Sequence, residues 1–328
     1  MNETSGDWHK YNVVKAAWMY FIGGKSQAEI AKALHMSQPS INRLIAQAQR
    51  ERIVQVSISK RPSECIELEM ELCAGFGLSN CVVVPIDAAS SPRFEDVLQP
   101  VSKIAAAYLT SVLSDVSIKR IGIGMGRTLA GTFAEVVAIE RPDLEAVSIS
   151  GSLTRSLATN RMDPVQVLAR NVRGDMYFLP VPYLANSVEE KSVFLSQPSV
   201  QQLLDKARAS DLFVVGIGSL GREDHLFANQ VITEAEYEAL IATDAVGDLM
   251  GRFFDINGQL VPVELTDKAV GISPTDVSDR RCIAIVCGES KAKATLGVLR
   301  SGYINELVID EALARRVLKG FDSGKLVP

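Results

Sequence analysis

Histidine is scarce in this 328-residue chain, which holds only His9, His35 and His225. Its five cysteines, Cys65, Cys73, Cys81, Cys282 and Cys287, include no CxxC pair. A structural zinc site needs four clustered Cys or His ligands, so no metal is expected. An odd number of cysteines, most of them in apolar runs, reads as buried reduced thiols and excludes a disulfide framework. No apolar run approaches the roughly 18 residues of a membrane helix. The first ten residues are polar and carry Glu3 and Asp7, unlike a signal peptide, and a cytoplasmic protein is expected. Hydrophobic residues at 47% and charged residues at 22% argue against disorder. The length suits about two domains.

The net charge of −5 conceals an asymmetry. Residues 1–62 hold nine Lys or Arg against four acids, a surplus of +5 that leaves −10 for the remainder. A basic head on an acidic body concentrates positive field at one end, where phosphates would sit. Residues 1–60 are expected to form one domain and residues 61–328 a second.

In the head, Tyr11 to Ile22 has helical apolar spacing and stops at Gly23-Gly24. Ser26 and Glu29 then make a capping-box pattern for a second helix carrying Ile30, Ala31 and Leu34. His35-Met36 forms a tight break, at a position usually held by Gly but tolerable for His at positive φ. Ser37 caps a third helix with Pro39 in its first turn. Ile30, Leu34, Ile41 and Leu44 wedge between the two short helices, and Ala31 lets them cross closely. The outward residues of the third helix, Gln38, Ser40, Asn42, Arg43 and Gln47, have the donors and acceptors that read base edges. With Ser26, Gln27 and Ser37 they make the expected DNA-binding set. The alternating segment Ile53 to Ser59 reads as a wing strand, followed by Lys60 and Arg61 for phosphate contact.

After Pro62, strand candidates alternate with helical stretches. The strands fall at Cys81 onward, Ile118–Ile123, Ala146–Ile149, Met176–Leu179, Leu212–Ile217, Cys282–Val286 and Glu306–Ile309. The helices lie near 95–113, 128–139, 164–173, 199–209, 233–241, 291–299 and 310–319. This rhythm predicts an α/β fold, a mostly parallel Rossmann-like doubly wound sheet with ligands bound beyond the strands' carboxyl ends. Three loops there carry chemistry. Gly122-Ile-Gly124-Met-Gly126-Arg127-Thr128 opens a helix and suits a phosphate or a hydroxyl cluster. Gly216-Ile-Gly218-Ser-Leu-Gly221 matches GxGxxG, but Arg222-Glu-Asp-His225 stands where an apolar helix should begin, so no dinucleotide cofactor is expected. Gly247 to Asp255, read as a loop, offers Asp248 and Arg252, and Gly288-Glu-Ser-Lys291 adds an amine.

Over nearly its whole length the chain resembles the SorC family of bacterial sugar-responsive transcription regulators. The stretches that carry the likeness are SQAEIAKALHMSQPSINRLIAQAQRERIVQVSI (26–58), IGIGMGRTLAGT (121–132), FLPVPYLANS (178–187), DLFVVGIGSLG (211–221), AVGDLMGRFFDINGQ (245–259) and a GxxKAKA element (288–294). The resemblance implies a winged helix-turn-helix head. The body would be similar to the sugar-phosphate isomerase and CoA-transferase superfamily and bind an effector without turning it over. It points to an effector site at Gly124, Gly126, Arg127, Thr128, Gln166, Asp248 and Lys291, extended by Gly218, Arg222 and Arg252. Capture of an effector as a Schiff base, known in the family, is not carried over, because no lysine lies between Lys119 and Lys191. The implied partners are operator DNA, a sugar, sugar phosphate or polyol, and further copies of the chain in a homodimer or homotetramer. A sugar-phosphate isomerase-type enzyme is the alternative, with Asp248 and Glu289 as candidate bases, but no His or paired carboxylates stand ready for that work.

Overall fold

Glycine pairs and serine caps punctuate the first fifty residues into three helices: α1 (Glu3–Phe21), α2 (Gln27–Leu34) and α3 (Gln38–Arg50). The structure is a computed structural model that describes residues 3–54, 63–86, 94–152, 164–228 and 230–323. The chain divides into two compact units, Met1–Arg61 and Pro62–Pro328. In the first, α1 begins at Glu3, well before Tyr11, where its apolar spacing becomes visible. The amide of Glu29 donates to Ser26 Oγ at 3.3 Å while the Glu29 carboxylate accepts from the Ser26 amide at 2.8 Å, closing the start of α2 from both sides. His35 ends α2 at φ 52°, ψ 42°, a left-handed conformation that turns the chain sharply toward α3. Val13, Ala16 and Ala17 of α1 pack with Ile30, Ile41, Leu44, Ile45 and Ala48 in one buried cluster. The segment expected to form a wing, and Lys60 and Arg61 after it, lie outside the described residues beyond Val54.

The second unit runs α4 (Ser63–Phe76), β1 (Asn80–Val84), α5 (Phe94–Leu113), β2 (Arg120–Ile123), α6 (Arg127–Glu135), β3 (Glu145–Ser148), α7 (Pro164–Val172) and β4 (Met176–Tyr177). Next come α8 (Val188–Leu195), α9 (Pro198–Arg208), β5 (Leu212–Val215), β6 (Gly218–Ser219), α10 (His225–Ala228), α11 (Glu234–Ile241), β7 (Ala245–Leu249) and β8 (Arg252–Asp255). It closes with α12 (Glu264–Lys268), β9 (Arg281–Val286), α13 (Ala292–Ser301), β10 (Glu306–Asp310) and α14 (Glu311–Ser323).

Seven strands form one sheet in the order β1-β10-β9-β5-β2-β3-β4, with every neighbouring pair parallel. Side chains alternate across a strand, so a strand buried on both faces reads as continuously apolar. Cys282, Ala284 and Val286 of β9 enter the core shared with α4, α9, α13 and α14, while Ile283 and Ile285 enter the core under α5, α6 and α7. Helices therefore cover both faces. The cysteines are all thiols outside any disulfide; four are buried and Cys73 is half-buried. Among the described residues no helix is long and apolar enough to cross a membrane.

One expectation is corrected here. Gly247 to Asp255 is not a loop: β6, β7 and β8 form a separate antiparallel sheet, and β7 and β8 make a hairpin. Leu249 pairs with Arg252 across a two-residue turn in which Met250 and Gly251 both have positive φ, 53° and 72°. Such a turn matches the twist of paired strands. The glycines and Asp248 hide the apolar alternation that would have revealed it. A small cluster including Leu226, Tyr237, Phe253 and Leu265 packs around this sheet.

Candidate functional site

The two faces of interest lie in different units. On α3, Gln38, Asn42 and Arg43 are exposed, and Ser40 and Gln47 are half-buried. Ser37 caps the helix by accepting from the Ser40 amide at 3.3 Å, and Ser40 Oγ accepts from Arg43 Nη2 at 3.4 Å. Gln47 is already engaged: its Oε1 lies 3.0 Å from His9 Nε2, and its Nε2 donates to Glu51 at 2.8 Å. Ser26 is exposed but spends its hydroxyl on the capping box, and Gln27 beside it is half-buried.

The cleft in the body follows from strand order. From β2 the chain proceeds to β3 and β4 on one side; from β5 it proceeds to β9 and β10 on the other. Strands β2 and β5 are neighbours, so the segments leaving their carboxyl ends diverge and open a crevice. That crevice encloses about 810 Å3 of empty space, part of it continuous with bulk solvent, and is lined by Gly124 to Leu129, Val215 to Ser219, Asp248 and Lys291. Phe94, Ile149, Ser150, Tyr183, Asp224, Leu226 and Met250 complete its walls.

At one end stands the start of α6. Gly126, at φ 132°, precedes it and no side chain caps it, in contrast with Ser26, Ser37, Ser187 and Thr233 at α2, α3, α8 and α11. The first-turn amides are left for another acceptor, and the helix dipole favours an anion there. Arg127 lies exposed beside them with its guanidinium 4.4 Å above the Phe94 ring. Lys291 donates to the Ile217 carbonyl at 2.9 Å. Burial pulls its pKa below the usual lysine value, while Cys287 and Asp224 push the other way.

Asp248 lines the same cleft. Its Oδ2 accepts from the Gly251 amide at 3.3 Å and from the Tyr183 hydroxyl at 3.4 Å. Burial pushes its pKa up to about 6, opposed by the Gly251 amide, Lys291 and Tyr183. The same burial, with Asp248 beside it, holds Tyr183 well above the usual tyrosine value. A methyl group at Gly218 would lie 1.9 Å from Asp248 Oδ1, so only glycine fits opposite that carboxylate. Ser219 Oγ is buried without a partner. The cleft thus combines an uncapped helix start and two cations with carboxylate and hydroxyl groups, a match for a small polyhydroxylated molecule that carries or lacks a phosphate.

A family model described as "Putative sugar-binding domain" matches residues 60–319. The chain belongs to this family of SorC-type transcriptional regulators. It is 32% identical over 313 residues to the erythritol catabolism regulatory protein EryD of Brucella abortus (strain 2308), covering 95% of this chain and 97% of that protein. It is 24% identical over 307 residues to the deoxyribonucleoside regulator of Bacillus subtilis (strain 168), covering 93% and 96%. The crystal structure of the full-length sorbitol operon regulator SorC from Klebsiella pneumoniae superposes with a TM-score of 0.73 at 25% identity, covering 93% of this chain and 97% of that one.

Of the residues that the SorC resemblance assigned to the effector, Gly124, Gly126, Arg127, Thr128, Gly218, Asp248 and Lys291 line one cleft. Three do not, and each has a physical reason. Arg252 is paired across the hairpin with Leu249, the neighbour of Asp248, so strand alternation sends it to the opposite face. Arg222 donates to Glu234 Oε2 at 3.0 Å and lies over the Phe227 and Tyr237 rings, which ties it to α10 and α11. Gln166 sits in the first turn of α7, a helix that buries Val165 and Leu168 beneath the sheet. Tyr183, Ser150 and Asp224 were missed. They come from segments with no motif spacing, though Tyr183 falls inside the FLPVPYLANS stretch.

Proposed function

We propose that this chain is a cytoplasmic DNA-binding regulator of a carbohydrate catabolism operon, and that a polyol, sugar or sugar phosphate in the body's cleft sets its affinity for operator DNA. In this reading residues 1–60 are a winged helix-turn-helix domain whose α3 enters the major groove. Residues 61–328 are an effector domain related to sugar-phosphate isomerases and CoA-transferases. The convergence of an uncapped helix start, Lys291 and Asp248 in one cleft carries this reading. An anionic group would bind the α6 amides with Arg127, and hydroxyls would donate to Asp248. Because EryD is named for erythritol catabolism and SorC for the sorbitol operon, small linear polyols and their phosphates are the first candidates. Two heads of a homodimer or homotetramer would read a two-fold operator. Effector binding would change operator affinity by about 5- to 150-fold, the span of coupling energies near 1–3 kcal/mol.

The test is a thermal-shift screen with erythritol, sorbitol, other polyols and their phosphates, followed by retardation of DNA from the chain's own genomic neighbourhood. A true effector at about 100 times its Kd stabilises by about 2.7 kcal/mol and shifts the retarded fraction. Gly218→Ala, which drives a methyl onto Asp248, should abolish the effector response by at least about tenfold and leave DNA binding intact, as loss of a close polar fit does. If no ligand shifts the protein and no DNA is retarded at low salt, the reading fails.

One observation favours a different activity: a buried carboxyl with pKa near 6, beside a tyrosine, is the kind of group that serves as a catalytic base. Turnover of pentose or hexose phosphates, abolished by Asp248→Asn, would make the protein an isomerase. The named relatives are regulators, which supports an absence of turnover.

A further inference from the structure

Helix α1 meets α3 through a polar contact as well as the apolar one that fills the core of the head. Gln47 stands in the last turn of α3, one helical turn beyond Arg43 and on the same side. It is half-buried, whereas Asn42 and Arg43 are exposed. Its amide nitrogen donates to Glu51 Oε1 at 2.8 Å, and its amide oxygen lies 3.0 Å from His9 Nε2 of α1. These two contacts fix the hydrogens. An ionised carboxylate only accepts, so the amide NH2 faces Glu51 and the amide oxygen faces His9. The imidazole therefore carries a hydrogen on Nε2 and donates it. Glu51 is held in turn, because its backbone amide donates to the Gln47 carbonyl at 2.8 Å. Among the described residues, the side-chain amides of Gln38 and Asn42 on the same helix have no such partners.

We infer that His9 is a specificity-determining residue of the head: it holds Gln47 as a brace of α3 and keeps that side chain out of base reading. The inference rests on α3 entering the major groove, as proposed above. A glutamine that reads adenine must offer its oxygen and an N–H together to one base edge. Gln47 has its oxygen on an imidazole of one helix and its nitrogen on a carboxylate at the end of another. Turning the amide toward DNA breaks both bonds. The bond to Glu51 is charge-assisted and roughly twice as strong as a neutral one. A base contact made by Gln47 therefore gains little over the contacts it gives up, and the base pair nearest to it is read loosely. Reading is left to the open side chains, Gln38, Asn42 and Arg43. Which bases α3 reads is thus decided partly by a residue of α1.

The test uses the full chain, once with DNA and once without. Selection from a randomised duplex pool gives the base preference at each position for the parent, Gln47→Ala, His9→Ala and the double variant. Gln47→Ala should leave the parent's preferences unchanged. His9→Ala frees the amide oxygen and should create a preference for adenine at one position, about tenfold or more, the worth of a glutamine–adenine pair. The double variant should lose it. A purely structural role would weaken all sequences alike and leave the profile as it was. A parent preference that Gln47→Ala abolishes overturns the inference, because Gln47 then reads a base. So does an unchanged profile in His9→Ala. Without DNA, ring-nitrogen resonances of histidine-labelled protein report the contact directly, and the chain has only three histidines. Gln47→Ala should move the Nε2 signal that His9→Ala removes; a signal that stays in place also overturns the inference. A pool that yields no sequence while that signal moves would defeat the regulator reading, and this role with it, but not the contact.

Discussion

Helix starts are finished differently in the head and at the cleft of the body. In the head, α2 and α3 are closed by their own serines, Ser26 and Ser37, and every orphan amide they satisfy is spoken for within three residues. At the cleft, α6 begins at Gly126 with no side chain over it, although α8 and α11 of the same unit are capped by Ser187 and Thr233. A capped start has an amide satisfied by its own chain; an uncapped start beside a crevice leaves its amides open to an acceptor from outside. The contrast extends to contacts. The head's turns and caps join residues a few positions apart, whereas the cleft joins Phe94, Gly126, Gly218, Asp248 and Lys291.

Four substitutions sharpen that contrast, in order of expected effect. Phe213 is fully buried in β5 beneath the cleft, so Phe213→Ala should cost the body about 3–5 kcal/mol. Calorimetry should show it, while the head still retards DNA below the body's transition. Asp248 comes next. Its carboxyl, raised to about 6, stays protonated in the folded chain over a range where the unfolded chain has ionised. Unfolding therefore releases a proton, and this group makes stability fall as pH rises from about 4 through 6. Asp248→Asn should flatten that slope and raise stability at pH 7 by up to about 3 kcal/mol, while weakening a hydroxylated effector. Denaturant melts at pH 5 and 7.5 would show whether the slope is there.

Arg43→Ala should reduce specific operator affinity by about 1–3 kcal/mol, the worth of one base contact, with thermal shifts by the effector unchanged. Equal retardation by the variant and the parent would remove Arg43 from the reading set. The smallest effect belongs to Ser26→Ala, about 1 kcal/mol for a lost cap, seen as a lower melting temperature of the head alone. An equal loss in the body's transition would show that the two units do not unfold independently.

Much of this architecture is legible without coordinates because its signals are short. Apolar runs such as Cys282–Val286 mark strands buried on both faces, and Ser26 with Glu29 marks a helix start. Reading fails where a signal is weakened by function or geometry. Gly247, Asp248 and Gly251 erase the alternation of β7 and β8, so a hairpin passes for a loop. His9 lies before the visible apolar period of α1, so its contact with Gln47 goes unseen. Arg222 and Arg252 sit in the right segments, but the Glu234 pair and strand alternation turn them elsewhere.

The order of residues alone determined the alternating strands and helices, the basic head, the caps and the glycine loops, because each depends on neighbours within a turn or a strand. Which loops meet was decided by tertiary structure. The return of β5 to the free side of β2 opens the crevice and brings Gly218, Asp248 and Lys291 to it. No local pattern encodes that return; it follows from how a whole sheet must be wound to bury both its faces.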